Sequence, residues 1–334
     1  MSAGRADAVF VEAPARLHLG VLDLRGDLGR RFGGLGAAIP EPSLLLEAVP
    51  AAGVEADGPD AERAAEFARR FLEYHGRPGG VRLRVHRAIP AHAGLGSGTQ
   101  LGLAVGRALA ELYDLPRDPA ALARAVNRGR RSGVGTWVFA QGGFVLEGGR
   151  REGAEGIAPL LARYPLPPAW RYVVAIPAAP RGPSGDAEAE AFRRLPPPPA
   201  REVERVAHLV LMRLLPGIVE GDLAAFGAAL SEIQEITGRW FAASQGGVFA
   251  PGATAGLIEA LRRAGAPGVG QSSWGPTAYA VAAGDGAAGR LAEAVRERMK
   301  MQGGGGGAGG TVHTGGFANR GARLWRAATN VLAD

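Results

Sequence analysis

Between a strictly alternating stretch, Val81-Arg82-Leu83-Arg84-Val85-His86, and an Ala/Leu-rich run reaching about Tyr113 lies Pro90-Ala91-His92-Ala93-Gly94-Leu95-Gly96-Ser97-Gly98-Thr99-Gln100. The alternation predicts a strand with one buried face, and the run that follows predicts a helix. Strand, glycine loop and helix in this order constrain the chain more than any other feature. Glycines admit positive φ and close backbone approach, so successive N–H groups turn toward one anion. The helix behind adds unsatisfied amides and its positive dipole end. Ser97 and Thr99 supply hydroxyls that reach phosphate oxygens or a metal. No Gly-Lys-Ser/Thr follows, so this is not a Walker loop, and the acidic partner of a dinucleotide fingerprint is missing. The segment reads as a phosphate-binding loop.

Around it, residues 9–11, 16–19 and 43–49 read as strands, and residues 60–74 as a helix with Phe67, Phe71 and Leu72 at helical spacing. Asp118 with Pro119 is an N-cap and first-turn proline opening a helix to about Arg130. The irregular, proline-rich stretch 150–170 suggests a division into lobes 1–165 and 166–334. A strand is expected at 172–176, then four prolines (Pro196 to Pro199) and a long helical stretch, 203–240. Helices near 254–263 and 287–299 bracket a strand at 278–281, and the glycine run 302–310 reads as a flexible loop. Strands and helices interleave without βαβ regularity, which favours an α+β fold.

The chain carries 38 basic residues, of which Lys300 is the single lysine, against 32 acidic ones. The arginines are scattered, with few aromatics among them, so no stripe tracks a nucleic-acid backbone. An anionic small molecule fits better. No cysteine is present, which excludes thiolate metal sites and a cysteine nucleophile. No apolar run approaches a membrane span and no export signal is visible, so a cytoplasmic protein without a membrane partner is expected.

Pro90-x-x-x-Gly94-Leu95-Gly96-Ser97 resembles the phosphate-loop motif of the GHMP kinases, although Gly98 and Thr99 stand where those kinases usually carry a serine and an alanine. Kinases of this group often carry Ser-Gly-x-Asp downstream, the aspartate acting as base; here Ser132-Gly133-Val134-Gly135 puts glycine at that position. A hydroxyl nucleophile needs a carboxylate to take its proton, and glycine offers none. Further segments are Arg16-Leu17-His18-Leu19 with Asp23, Gly29-Arg30-Arg31-Phe32-Gly33-Gly34-Leu35-Gly36 and Arg131-Ser132-Gly133-Val134-Gly135-Thr136. Gln245-Gly246-Gly247, Gly270-Gln271-Ser272-Ser273-Trp274-Gly275-Pro276-Thr277 and His313-Thr314-Gly315-Gly316 complete the set. Together they resemble the β-ribofuranosylaminobenzene 5′-phosphate synthases, non-kinase relatives of the GHMP kinases.

That resemblance implies a two-lobed fold with the active site in the cleft between lobes, Mg²⁺, and a homodimer. It implies condensation of phosphoribosyl pyrophosphate with 4-aminobenzoate or 4-hydroxybenzoate, releasing CO₂ and pyrophosphate, for tetrahydromethanopterin biosynthesis. Loss of CO₂ would replace proton removal, which accounts for glycine at 135. On this reading the 94–100 loop (Gly94, Leu95, Gly96, Ser97, Gly98, Thr99, Gln100) and Arg16 hold the leaving pyrophosphate. Asp23 with Ser97 is the expected metal pair, Asp23 being equally readable as a turn residue before Gly26. Arg30, placed in a glycine-rich loop, is the expected phosphate clamp, or else a solvated arginine. His18, beside Arg16 on one strand face, and His313 are candidate catalytic groups. Gln271, Ser272, Ser273 and Trp274 are expected at the substrate, with Trp274 stacking on the benzoate or filling core; Trp240 and Phe241 are expected to pack. A GHMP-type kinase and a non-catalytic nucleotide-binding regulator are the alternatives.

Overall fold

The computed structural model describes residues 7–178, 185–302 and 309–328. Along the first half run β1 (Asp7–Asp23), β2 (Arg30–Ala51), β3 (Val54–Asp57), α1 (Ala61–Tyr74), β4 (Gly80–Arg87) and α2 (Ser97–Leu112). These are followed by α3 (Pro119–Ala125), α4 (Val134–Gln141), β5 (Phe144–Glu147), β6 (Arg150–Arg151), β7 (Leu160–Tyr164) and β8 (Trp170–Ile176). The second half holds α5 (Gly185–Arg194), α6 (Ala200–Leu209), a π-helical turn (Val210–Leu214), α7 (Leu215–Glu220), α8 (Leu223–Gln245) and α9 (Ala253–Arg263). β9 (Gly268–Gln271), β10 (Ala278–Ala283), α10 (Gly284–Gln302), β11 (Thr311–Gly316) and β12 (Arg323–Ala328) complete it.

Two sheets result. One is ordered β12-β1-β2-β4-β3, with β5 and β6 on the other part of the long β2 and β7 beyond β5; the second is β11-β8-β10-β9. β4 buries Val81, Leu83 and Val85 and exposes Arg82 and Arg84, as its alternation requires. α1 presents Phe67, Phe71 and Leu72 to the core, and Asp118 caps α3 by accepting from the Ala121 N–H at 2.9 Å. The α+β, two-lobed architecture is therefore present, and the main cleft lies between the lobes.

Four expectations change. Residues 30–36 are strand, not loop: without a Cβ, Gly34 and Gly36 let α4 settle on β2, where a Cβ would come within 2.7 and 2.1 Å of the Val134 methyls. The helix expected to reach Arg130 ends at Ala125, because Asn127 (φ 55°) and Gly129 (φ 76°) turn left-handed. The helical stretch 203–240 is broken at Gly221, and Asp222 caps a fresh helix, α8. The 165/166 division is crossed by β12, which pairs with β1, and by Phe226 of α8, which packs on Phe144 and Trp170. Most of the 302–310 loop, residues 303–308, lies outside the described residues.

Candidate active site

The cleft encloses about 530 Å³ and is walled by β1, the start of α2, the loop between α3 and α4, α8 and the β9–β10 turn. Just before Thr99, which lines the cleft, Gly94 (φ 82°) and Gly96 (φ 77°) swing the chain into α2, whose first turn has no capping side chain and no acidic residue. Its leading amides are thus left for an anion. The glycines also serve a close approach. A Cβ on Gly94 would lie 2.0 Å from the Ser272 carbonyl oxygen, and one on Gly275 would lie 2.2 Å from the Ala93 carbonyl. Ser272 Oγ donates to Gly94 O (2.7 Å) and accepts from the His18 N–H (3.0 Å), while Thr277 Oγ1 donates to Ala93 O (2.6 Å). Arg16 adds Nη1 to Gly94 O (3.1 Å) and its own N–H to Leu95 O (3.0 Å). Within the Gln-Ser-Ser-Trp-Gly-Pro segment, Ser272 and Gly275 brace the 93–96 loop, and Gln271, Ser273 and Trp274 line the cleft.

Arg16, Arg128, Arg130 and Arg131 face the cleft, and among the described residues no carboxylate does. The last three come from the left-handed turn at Asn127 and Gly129. Arg128 and Arg63 converge on the first turn of α2: a Cβ at Gly98 would lie 2.9 and 2.7 Å from their Nη2 atoms. Arg131 lies over the Phe192 ring, 5.3 Å from its centroid. Four guanidinia lining one cleft fit a polyanion bearing several phosphates.

Beneath the arginine turn sits Glu147, the one fully buried charge among the described residues. Its carboxylate accepts from the Gly133 N–H (3.2 Å), the Gly149 N–H (2.7 Å) and the Ser132 side chain. Burial pushes its pKa up to about 7, against the opposing pull of those hydrogen bonds. His18, at the cleft floor, is driven the other way: burial first, then the Arg16 charge, lower it to about 3. Its imidazole is neutral and adds no charge for phosphate.

The position matching the kinase base is crowded by Thr99. A Cβ on Gly135 would meet Thr99 Cγ2 at 3.0 Å and Thr99 Cβ at 3.3 Å, so any side chain there would require Thr99 to give by a few tenths of an ångström. Gln100 is turned inward, donating to Gly135 O at 2.9 Å, and is fully buried; it supports the site and does not face it.

Of the expected site residues, the structure brings Arg16, His18, Thr99, Gln271, Ser273 and Trp274 to the cleft. Ser272 is buried bracing. Asp23 is not brought there: its Oδ1 accepts from the Arg25 N–H (2.6 Å) and Gly26 N–H (3.0 Å), the turn role. Nor is it joined with Ser97 in a metal set, and no cluster of three or more His, Asp or Glu side chains able to hold a metal occurs among the described residues. Arg30 points to Gly149 O (3.4 Å) at the edge strand β6. His313 sits on β11 opposite Val174, away from the cleft, where burial lowers its pKa against the raising effect of Glu41. Sequence reasoning missed Arg128, Arg130, Thr237, Phe192 and the cleft-facing role of Phe241. The Asn-x-Gly spacing at 127–129 was the available signal for the first two. Trp240 does pack, its Nε1 donating to Glu202 Oε2 at 2.7 Å.

The GHMP kinases N terminal domain family matches residues 61–143, and the GHMP kinases C terminal family matches residues 214–300. A β-ribofuranosylphenol 5′-phosphate synthase of Methanothermobacter thermautotrophicus is 38% identical, the match covering 94% of this chain and 98% of that one. The protein of the same name from Archaeoglobus fulgidus is 36% identical over 88% of this chain and 93% of its own. Among solved structures, homoserine kinase from Cytophaga hutchinsonii superposes with a TM-score of 0.70 at 17% identity, covering 97% of this chain and 99% of that chain, a likeness of fold.

Proposed function

Because this chain belongs to the β-ribofuranosylphenol 5′-phosphate synthase family within the GHMP kinase superfamily, we propose that it condenses phosphoribosyl pyrophosphate with 4-hydroxybenzoate, releasing CO₂ and pyrophosphate. The relatives' names specify a phenol product, which favours the hydroxy over the amino acid as acceptor. The observation that carries the reading is the set of four arginines lining the cleft together with Thr99 of the α2 start. The glycine-rich entry to α2 lies behind Thr99, and glycine stands where a kinase keeps its base.

The pyrophosphate of the donor lies on the first turn of α2, with Arg16 and Arg128 against its oxygens. The C1–O bond breaks with its electron pair leaving on pyrophosphate, and positive charge develops on C1 and the ring oxygen. The benzoate attacks through the carbon bearing its carboxylate, and the C–CO₂⁻ pair returns to the ring as CO₂ departs. No side chain removes a proton, so neither a carboxylate at 135 nor a basic His18 is needed. The chain contributes charge stabilisation of the leaving group and positioning of the ring. The cleft offers hydroxyls and guanidinia, a donor set unsuited to a protein-held Mg²⁺. Magnesium belongs to the proposal as a counter-ion of the substrate's phosphates. A cytoplasmic homodimer belongs to it as well; light scattering tests the assembly.

With carboxyl-labelled 4-hydroxybenzoate, labelled CO₂ should appear only when phosphoribosyl pyrophosphate is also present. No release with the hydroxy or the amino acid from folded protein would overturn the synthase reading and return the cleft to an ATP-dependent kinase. Arg128→Gln should raise KM for phosphoribosyl pyrophosphate roughly 10- to 100-fold, the worth of one charged hydrogen-bonding group, and leave KM for the acid near its original value. Equal rises for both substrates would remove Arg128 from the phosphate end.

A further inference from the structure

Building on the synthase reading, we propose that Phe192, Phe241 and Trp274 form the acceptor subsite and that Thr237 makes it select a benzoate with a hydrogen-bond donor at the para position. The three aromatic rings arrive from α5, α8 and the β9–β10 turn and meet at the cleft. Their centroids are 5.4 Å (Phe192–Trp274), 5.2 Å (Phe241–Trp274) and 5.6 Å (Phe192–Phe241) apart, with interplanar angles of 49°, 69° and 88°. All three are only half-buried, so aromatic surface faces the empty volume. Inclined rings of this kind accept a further ring edge-to-face or offset.

Polarity orients that ring. Arg131, over Phe192, puts a cation beside the aromatic wall. A benzoate whose carboxylate carbon faces the arginines also faces the glycine loop, which is where C1 of the donor must sit for attack. Its para substituent then points to α8, where Thr237 stands one helical turn before Phe241 on the same face.

What α8 offers there is an acceptor. The Thr237 hydroxyl gives its proton to Ile233 O at 2.8 Å, which leaves its lone pairs for the cleft. The neighbouring amides are already matched to one another. Gln245 Nε2 donates to Gly247 O (2.9 Å) and Val248 O (2.8 Å), and Gln245 Oε1 accepts from Gln271 Nε2 (3.3 Å). Gln271 Oε1 accepts from the Ala250 N–H (2.8 Å), and Gln234 joins Leu19 O to the Gln271 N–H. A phenol O–H or aniline N–H therefore meets a lone pair at Thr237, whereas a fluorine or a bare ring edge brings no proton to it. Leaving that acceptor unmatched is what discriminates.

Binding of 4-hydroxybenzoate and 4-fluorobenzoate, measured by calorimetry with pyrophosphate present, tests this without requiring turnover. Wild type should prefer the hydroxy acid by roughly 10- to 100-fold. Thr237→Val should collapse the preference to near unity with pyrophosphate affinity unchanged, and Thr237→Ser, which keeps the hydroxyl, should retain it. Phe241→Leu should weaken both acids by about the same factor, several-fold or more. A preference that survives in Thr237→Val, or acid affinities unmoved by Phe241→Leu, would overturn the subsite. Its failure is separable from failure of the synthase reading, because the latter shows as no labelled CO₂ from wild type, and the former as active wild type with indifferent variants.

Discussion

Gly94→Ala should lower turnover at least 100-fold and destabilise the fold by about 3 kcal/mol, the largest effect expected from removing so little chemistry. The added methyl would sit 2.0 Å from the Ser272 carbonyl oxygen and 3.0 Å from the Gly275 Cα, at a backbone φ of 82°. The left-handed conformation costs roughly 1–2 kcal/mol for a residue with a Cβ, and overpacking adds about 1–3 kcal/mol. Both neighbours are backbone, so no side chain can swing aside. Relief must come from parting the phosphate loop from its brace, and a shift of about 1 Å in a positioning element costs on the order of 100-fold in rate. Gly221→Ala is the matched control: φ is 73° there, yet nothing lies within 4 Å of its would-be Cβ. It should lose only the conformational part and keep its activity. CO₂ release together with chemical unfolding decides the matter. Equal behaviour of the two variants would mean the loop and the 271–276 turn do not depend on each other.

That interlock also shows what could be read from residues in a row. The strand–glycine loop–helix arrangement around residues 94–100 was legible because it is local: the glycines, the strand before and the helix after all lie within the same short segment. Ser272 looked like a substrate ligand because its partners, Gly94 and His18, are far away in the chain. Hydroxyls that serve a distant backbone and hydroxyls that serve a ligand have the same sequence signature. The same holds for Gly34 and Gly36, where small size answers to Val134 in another element and not to a turn. The arginine turn was hidden for a different reason. Arg128, Arg130 and Arg131 sit together at the expected end of a helix and read as a short solvated basic stretch, and only the left-handed Asn127 and Gly129 turn them toward the cleft. Asp23 failed as a metal ligand because a carboxylate before glycine satisfies its own turn first.

Glu147→Gln should separate two pH dependences of opposite sign that one residue creates. The wild-type carboxyl has its pKa lifted from 4.5 to about 7 in the folded protein, chiefly by burial. Between those values the folded state holds a proton that the unfolded chain releases. Stability is therefore greatest at the acid end, falls as pH rises through this window, and is flat above about 7, a total of about 3 kcal/mol. The groups facing Glu147 from β2, β7 and the start of α4 are Gly34, Leu160 and Gly133, and none titrates. Substrate affinity runs the other way. Ionised, the carboxylate accepts from Gly133, Gly149 and Ser132 together and fixes the base of the arginine turn; protonated, it must place a proton of its own among those donors. KM for phosphoribosyl pyrophosphate should accordingly fall in wild type as pH rises through 7. Glutamine does not titrate, and its amide N–H₂ faces donors at every pH. The variant should show a raised, nearly pH-independent contribution to KM, and its stability relative to wild type should climb from pH 5 to 8. The low pKa of His18 and the second ionisation of the substrate's phosphates act alike in both proteins and cancel in the difference. Parallel profiles for wild type and variant, in unfolding and in KM, would show that Glu147 does not set the arginine turn.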